Sequence, residues 1–112
     1  MSFVPERGDL IWLDFDPHMG REQGRRRPAL VLSPALYNGR TGLCVVCPIS
    51  NQAKGYPFEV ALTDDAGATG IILCDHLKSQ DWRSRSARII GTVDEDVVDE
   101  VVARLQTLLP AI

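Results

Sequence analysis

The chain reads as mainly β, a small barrel completed by one amphipathic α-helix at its C-terminal end. Three observations predict this. Five or six short apolar segments recur at near-regular spacing, polar stretches separate them, and only the last segment shifts to helical periodicity. With 112 residues, 45% of them hydrophobic and 24% charged, the chain suits a single globular domain spanning residues 1–112. A domain of this size buries a modest core, so a second copy is a natural way to cover leftover apolar surface.

The run Asp9 to Phe15 is aromatic and β-branched and forms the first strand. A polar loop rich in Gly and Arg follows from Asp16 to Arg27. Pro28 to Ser33 is a second apolar strand, stopped by Pro34. Tyr37-Asn38-Gly39-Arg40 carries an Asn-Gly turn signal. Leu43 to Ile49 is nearly all apolar and reads as a strand buried on both faces. A second polar loop, Ser50 to Pro57, leads into the alternating strand Phe58 to Leu62 and a turn from Thr63 to Thr69. Gly70 to Cys74 and Ala87 to Val93 are further strands, and His76 to Arg85 between them fits a helix or an edge strand. Val98, Val101, Val102, Leu105, Leu108 and Leu109 recur every three or four residues, the stripe of an amphipathic helix. Asp94, Glu95 and Asp96 suit its N-terminus, where carboxylates meet exposed N–H groups. Trp82 and the helix's apolar face belong either to the core or to a subunit interface.

Several classes are excluded. No stretch approaches the roughly 18 consecutive apolar residues of a membrane span. Residues 1–8 contain Pro5, Glu6 and Arg7 and lack the apolar centre of a secretory signal, so a cytoplasmic location is expected. Three cysteines, an odd number, read as reduced thiols. The net charge of −3 hides an uneven distribution. Residues 94–109 carry five carboxylates against Arg104, a local −4, which leaves the remainder at +1. Arg21, Arg25, Arg26 and Arg27 fall close together, as do Arg83, Arg85 and Arg88.

Cys44-Val45-Val46-Cys47 matches C-x-x-C, but strand alternation sends two residues three apart to opposite faces, so these are core cysteines. Asp14 and Asp16 share a face without a third acid, too few oxygens for a hard cation. His18 and His76 are of the type used in proton transfer, yet nothing in the spacing brings them together. The loop Gly20 to Arg27 is more informative: guanidinium forks match phosphate oxygens in pairs and stay charged. The loop Ser50 to Pro57 adds a hydroxyl, two amides, a cation and the Tyr56 ring, groups suited to a single-stranded nucleotide.

In their order along the chain, GDLIWLDFDP (Gly8–Pro17), the GREQ…RRP loop (Gly20–Pro28), ALVLSP (Ala29–Pro34), YNGRTG (Tyr37–Gly42), KGYPFEV (Lys54–Val60) and DHLKS with DWRSR (Asp75–Arg85) resemble the MazF/PemK family of toxin ribonucleases. The resemblance implies an SH3-like, PemK-type barrel that forms a homodimer. It implies cleavage of single-stranded RNA at short sequences without metal or other cofactor, leaving 2′,3′-cyclic phosphate and 5′-hydroxyl ends. It also implies a MazE-like antitoxin whose acidic C-terminal segment lies over the RNA groove. Carried over residue by residue, the family's arginine before the loop proline falls on Arg27 and its glutamate on Glu22. The threonine opening the second loop falls on Ser50, which keeps the hydroxyl and loses the methyl. Arg27 and Ser50 are thus the expected catalytic pair. Glu22 either orients Arg27 or accepts the 2′-hydroxyl proton. Gln23, Arg25, Asn51, Gln52 and Lys54 are the expected RNA contacts, and no metal ligands are assigned. Two rivals remain: a gyrase-binding poison of the CcdB type, which has the same fold and cuts nothing, and a non-catalytic RNA-binding barrel.

Overall fold

The computed structural model describes residues 3–16, 25–62 and 67–109. Seven strands appear among them: β1 (Asp9–Asp14), β2 (Arg26–Val31), β3 (Leu43–Ser50), β4 (Glu59–Leu62), β5 (Gly70–Leu73), β6 (Lys78–Asp81) and β7 (Arg88–Thr92). They pair antiparallel in the order β4-β5-β3-β2-β1-β7, with β6 also on β3, and the sheet curls into a half-barrel. β3 is the hub. It pairs with β2 along one edge, while its other edge holds β6 at Leu43–Val46 and β5 at Ile49–Ser50.

The sheet is buried on both faces, which is why β3 lacks polar alternation. One cluster holds Leu10, Leu30, Cys47, Ile49, Val60 and Ile72 beneath the C-terminal helix α2 (Glu95–Gln106), which contributes Val98, Val101 and Leu105. The other holds Ile11, Leu13, Phe15, Ala29, Val31, Cys44, Val46 and Trp82. Cys44 and Cys47 therefore lie on opposite faces, as strand alternation requires. Trp82 is a core residue in this chain, its indole N–H donating to the Asn38 carbonyl at 3.0 Å. Leu108 and Leu109 lie past the end of α2 and are exposed.

One expectation is overturned. Ala35–Thr41, read as a turn at Asn38-Gly39, is a short helix, α1. Asn38 is fully buried, and its side chain bonds the Pro5 and Ser33 carbonyls and accepts from the Ser33 hydroxyl. These tertiary bonds replace the local ones that make Asn a turn residue. Gly42 ends the helix in the left-handed region at φ 75°. Pro34 offers no cap, so Glu6 accepts the Ala35 N–H across the chain at 2.9 Å. That bond, then a second from the Arg7 N–H, holds the Glu6 carboxyl below its ordinary range.

The ambiguous segment also resolves. Cys74–His76 forms one 3₁₀ turn and Lys78–Asp81 is β6 on the outer edge of β3. None of the described helices is long and apolar enough to cross a membrane.

Candidate functional site

Ala29 of β2 lies opposite Pro48 of β3. Two residues further along each strand, on the same face, stand Arg27 and Ser50. Both line one groove of about 690 Å³. Its rim comes from Asn51, Gln52, Lys54 and Tyr56 of the following segment, from Glu59 at the start of β4, and from Leu73, Asp75 and His76 at the end of β5 and the 3₁₀ turn.

Each position has a local cause. Arg27 is not a loop residue, because β2 begins at Arg26 and pairs Arg26 with Asp14 and Arg27 with Leu13. A strand holds the guanidinium stem more firmly than a glycine-rich loop does. Ser50 closes β3 and is only 9% exposed. Its Oγ accepts the Gln52 N–H at 3.1 Å, which leaves the hydroxyl proton to donate elsewhere.

Residues 51–57 are exposed throughout, yet two ties shape them. The Glu59 carboxylate accepts the N–H groups of Lys54 and Gly55, with contacts of 3.1 Å. From α2, the Arg104 guanidinium donates to the Pro57 carbonyl. Below them, β5 comes close to β3 at Gly70, where φ is 139° and a Cβ would stand 2.8 Å from both Ile49 Cγ2 and the Ser50 carbonyl oxygen. Only glycine fits there, and its absence of a side chain lets β5 bring Asp75 and His76 to the groove.

Of the residues expected from sequence, Arg27, Ser50, Asn51, Gln52 and Lys54 are brought together. Arg25 is not part of this lining. It sits at φ 66°, its N–H donating to Asp16 Oδ1 at 2.7 Å and its carbonyl accepting from Phe15. Glu22 and Gln23 lie outside the described residues, as does His18. Asp14 Oδ1 accepts the Asp16 N–H, so both acids of that pair serve the base of the first loop. The second basic cluster is largely scaffolding. Arg85 donates to the carbonyls of Asp14 and Asp16, while Arg83 stacks 4.8 Å from the Trp82 ring centre and donates to Gly39.

Sequence reasoning missed Glu59 and Asp75 and set His76 aside. Glu59 sits in an alternating strand and looks like a solvated position. His76 reaches the groove only through the pairing of Ser50 with Ile71, a contact between distant segments with no local signal. The resulting surface sets a guanidinium, an ammonium, a donor hydroxyl, two amides and an aromatic ring in one open channel. That combination suits a phosphodiester chain with splayed bases.

The family model described as PemK-like, MazF-like toxin of type II toxin–antitoxin systems matches residues 6–109. The endoribonuclease toxin MazF of Escherichia coli K12 is 47% identical over 107 residues, 96% of each chain. A crystal structure of MazF from Deinococcus radiodurans superposes with a TM-score of 0.93 at 54% identity, covering 96% of this chain and 98% of that one. A MazE–MazF structure from the same organism gives a TM-score of 0.87, also at 54% identity, over 96% and 97% of the two chains.

Proposed function

The chain belongs to the PemK-like, MazF-like toxins of type II toxin–antitoxin systems, and on that premise we propose that it is an endoribonuclease cutting single-stranded RNA at short sequences. The observation that carries this reading is the meeting of Arg27 and Ser50 in one groove with Asn51, Gln52 and Lys54.

The chemistry needs no group the chain lacks. The 2′-oxygen attacks the adjacent phosphorus, the P–O5′ bond breaks, and the products are a 2′,3′-cyclic phosphate and a 5′-hydroxyl. The 2′-hydroxyl loses one proton and the departing 5′-oxygen gains one. Charge grows on the non-bridging oxygens as the phosphorane forms. The Arg27 guanidinium meets two of them at once, and the Ser50 hydroxyl donates to the same phosphate. A guanidinium holds its proton too firmly to act as a base, so Arg27 stabilises charge or donates a proton late. Glu22 either orients Arg27 or takes the 2′-proton. The amides of Asn51 and Gln52 read base edges, while Lys54 in the groove and Arg25 outside its lining neutralise phosphates.

The protein is further proposed to act as a cytoplasmic homodimer, restrained by a MazE-like antitoxin. A MazE–MazF complex at 54% identity supports that partner. The acidic C-terminal segment expected of such an antitoxin would compete with RNA for the same cations.

Purified protein incubated with a long single-stranded RNA in excess EDTA, followed by mapping of the cut ends, tests the reading. Specific cuts with 5′-hydroxyl ends are expected, and Arg27→Ala should lower the rate by about 10³-fold, the scale for losing a charge-stabilising donor. Full activity in a folded Arg27→Ala protein would defeat the mechanism. Intact RNA with inhibited gyrase supercoiling would favour a protein-binding poison instead.

A further inference from the structure

His76 comes to the groove from a different part of the chain than Arg27 or residues 50–56. It is half-buried in the 3₁₀ turn Cys74–His76, directly after β5, and lines the same channel as Arg27, Ser50 and Lys54. Among the described residues none hydrogen-bonds its side chain, whereas the carboxylate of neighbouring Glu59 is engaged by the Lys54 and Gly55 N–H groups. Imidazole is the side chain whose ordinary charge change falls between about pH 5 and 8. The groove's other cationic side chains are those of Arg27 and Lys54.

We propose that His76 is a further RNA-binding residue, one whose positive form holds a phosphate and makes RNA affinity depend on pH. The inference rests on the RNA reading above. The charged surroundings are mixed. Asp75 precedes His76 on the same turn, Lys78 follows on β6, and Glu59 faces the groove from β4. Arg27 and the Lys54–Tyr56 segment supply positive and phenolic groups. Behind the turn, α2 packs with Arg104 and Glu100, which pair at 3.4 Å. The thiols of Cys47 and Cys74 stay protonated there, since burial pushes them up to about 12 and about 11. Glu59 and Asp75 thus stand in the groove with Arg27, Lys54 and His76, and a proton on His76 tips that balance toward a polyanion.

The test is equilibrium binding of a fluorescent single-stranded oligonucleotide carrying 2′-deoxy sugars, which cannot be cut, at pH 5.5, 6.5 and 8.0 and fixed ionic strength. Wild type, His76→Gln and His76→Arg are compared, because a pH profile alone does not assign the effect to one residue. Wild-type affinity should fall about fivefold from pH 5.5 to 8.0, the difference between a charge-assisted and a neutral hydrogen bond. His76→Gln should bind weakly at every pH, and His76→Arg tightly at every pH. In cleavage, His76→Gln should act through KM. A His76→Gln protein that keeps the wild-type pH dependence overturns the inference, as does a loss in kcat with Kd unchanged. Folded wild type that binds no single strand at any pH overturns the RNA reading itself, a separate result.

Discussion

Ser50 shows how much a single position can decide. Its Oγ already accepts the Gln52 N–H, so the hydroxyl carries a defined direction and its proton is left for an incoming oxygen. Ser50→Ala removes both the donor and the acceptor that begins the loop, and cleavage should fall about 100-fold. Ser50→Thr introduces the residue that the family resemblance implies here and should leave the rate within a few-fold of wild type, since the methyl stiffens the side chain without altering its chemistry. Single-turnover cleavage of a mapped RNA measures both, and a slow Ser50→Thr protein would show that the chain is built around the missing methyl. Arg27, Ser50, Asn51, Gln52 and Lys54 were legible as candidates at this scale, Arg27 and Ser50 through the resemblance to the MazF/PemK toxins and the amides and ammonium through their fit to a nucleotide, and the fold gathers all five in one groove. Glu59 was not, because a carboxylate that accepts two backbone N–H groups resembles any solvated acid until the turn is seen.

Elements set where those residues meet. β3 joins β2, β6 and β5, and its last two residues are held against β5 through Ile49–Ile72 and Ser50–Ile71. Gly70 permits that approach, so Gly70→Ala places a Cβ 2.8 Å from Ile49 and from the Ser50 carbonyl at a φ of 139°. The cost should be about 3 kcal/mol, from overpacking and backbone strain together. Urea unfolding measures it, and cleavage below the melting range should also drop because Ser50 is displaced. An unchanged midpoint would mean that β5 yields at no cost. Most strands could be read from apolar runs, and α2 from its stripe, because burial writes a period into sequence. The boundaries at Arg26 and the helix at Ala35–Thr41 could not. The first depends on pairing with β1, and the second on Asn38 finding partners at Pro5 and Ser33. Edge strand β6 carries Lys, Ser, Gln and Asp, a composition with no strand signal, and exists because β3 offers a free edge.

Across the whole molecule, a sheet buried on both faces leaves three thiols with no exposure. Burial pushes Cys44 and Cys47 up to about 12 and Cys74 to about 11. In the unfolded chain a thiol ionises near its ordinary value of about 8.5, so above that pH the unfolded state sheds protons that the folded state keeps. Stability is therefore unaffected below about pH 8.5, and falls as pH climbs toward the folded values. Each thiol adds a slope of up to about 1.4 kcal/mol per pH unit. Urea titrations from pH 7.5 to 10.5 should show this limb, and Cys47→Ala should flatten it by about one thiol's share; an identical slope in the variant would refute the assignment. The ties on residues 51–57 have a consequence of another kind. Glu59 holds the segment's middle and Arg104 its end, both from regular elements, while Asn51, Gln52 and Ala53 take no part in either tie. Such a segment behaves as an exchangeable cassette: its three leading side chains can be replaced without loosening the anchors or the sheet beneath.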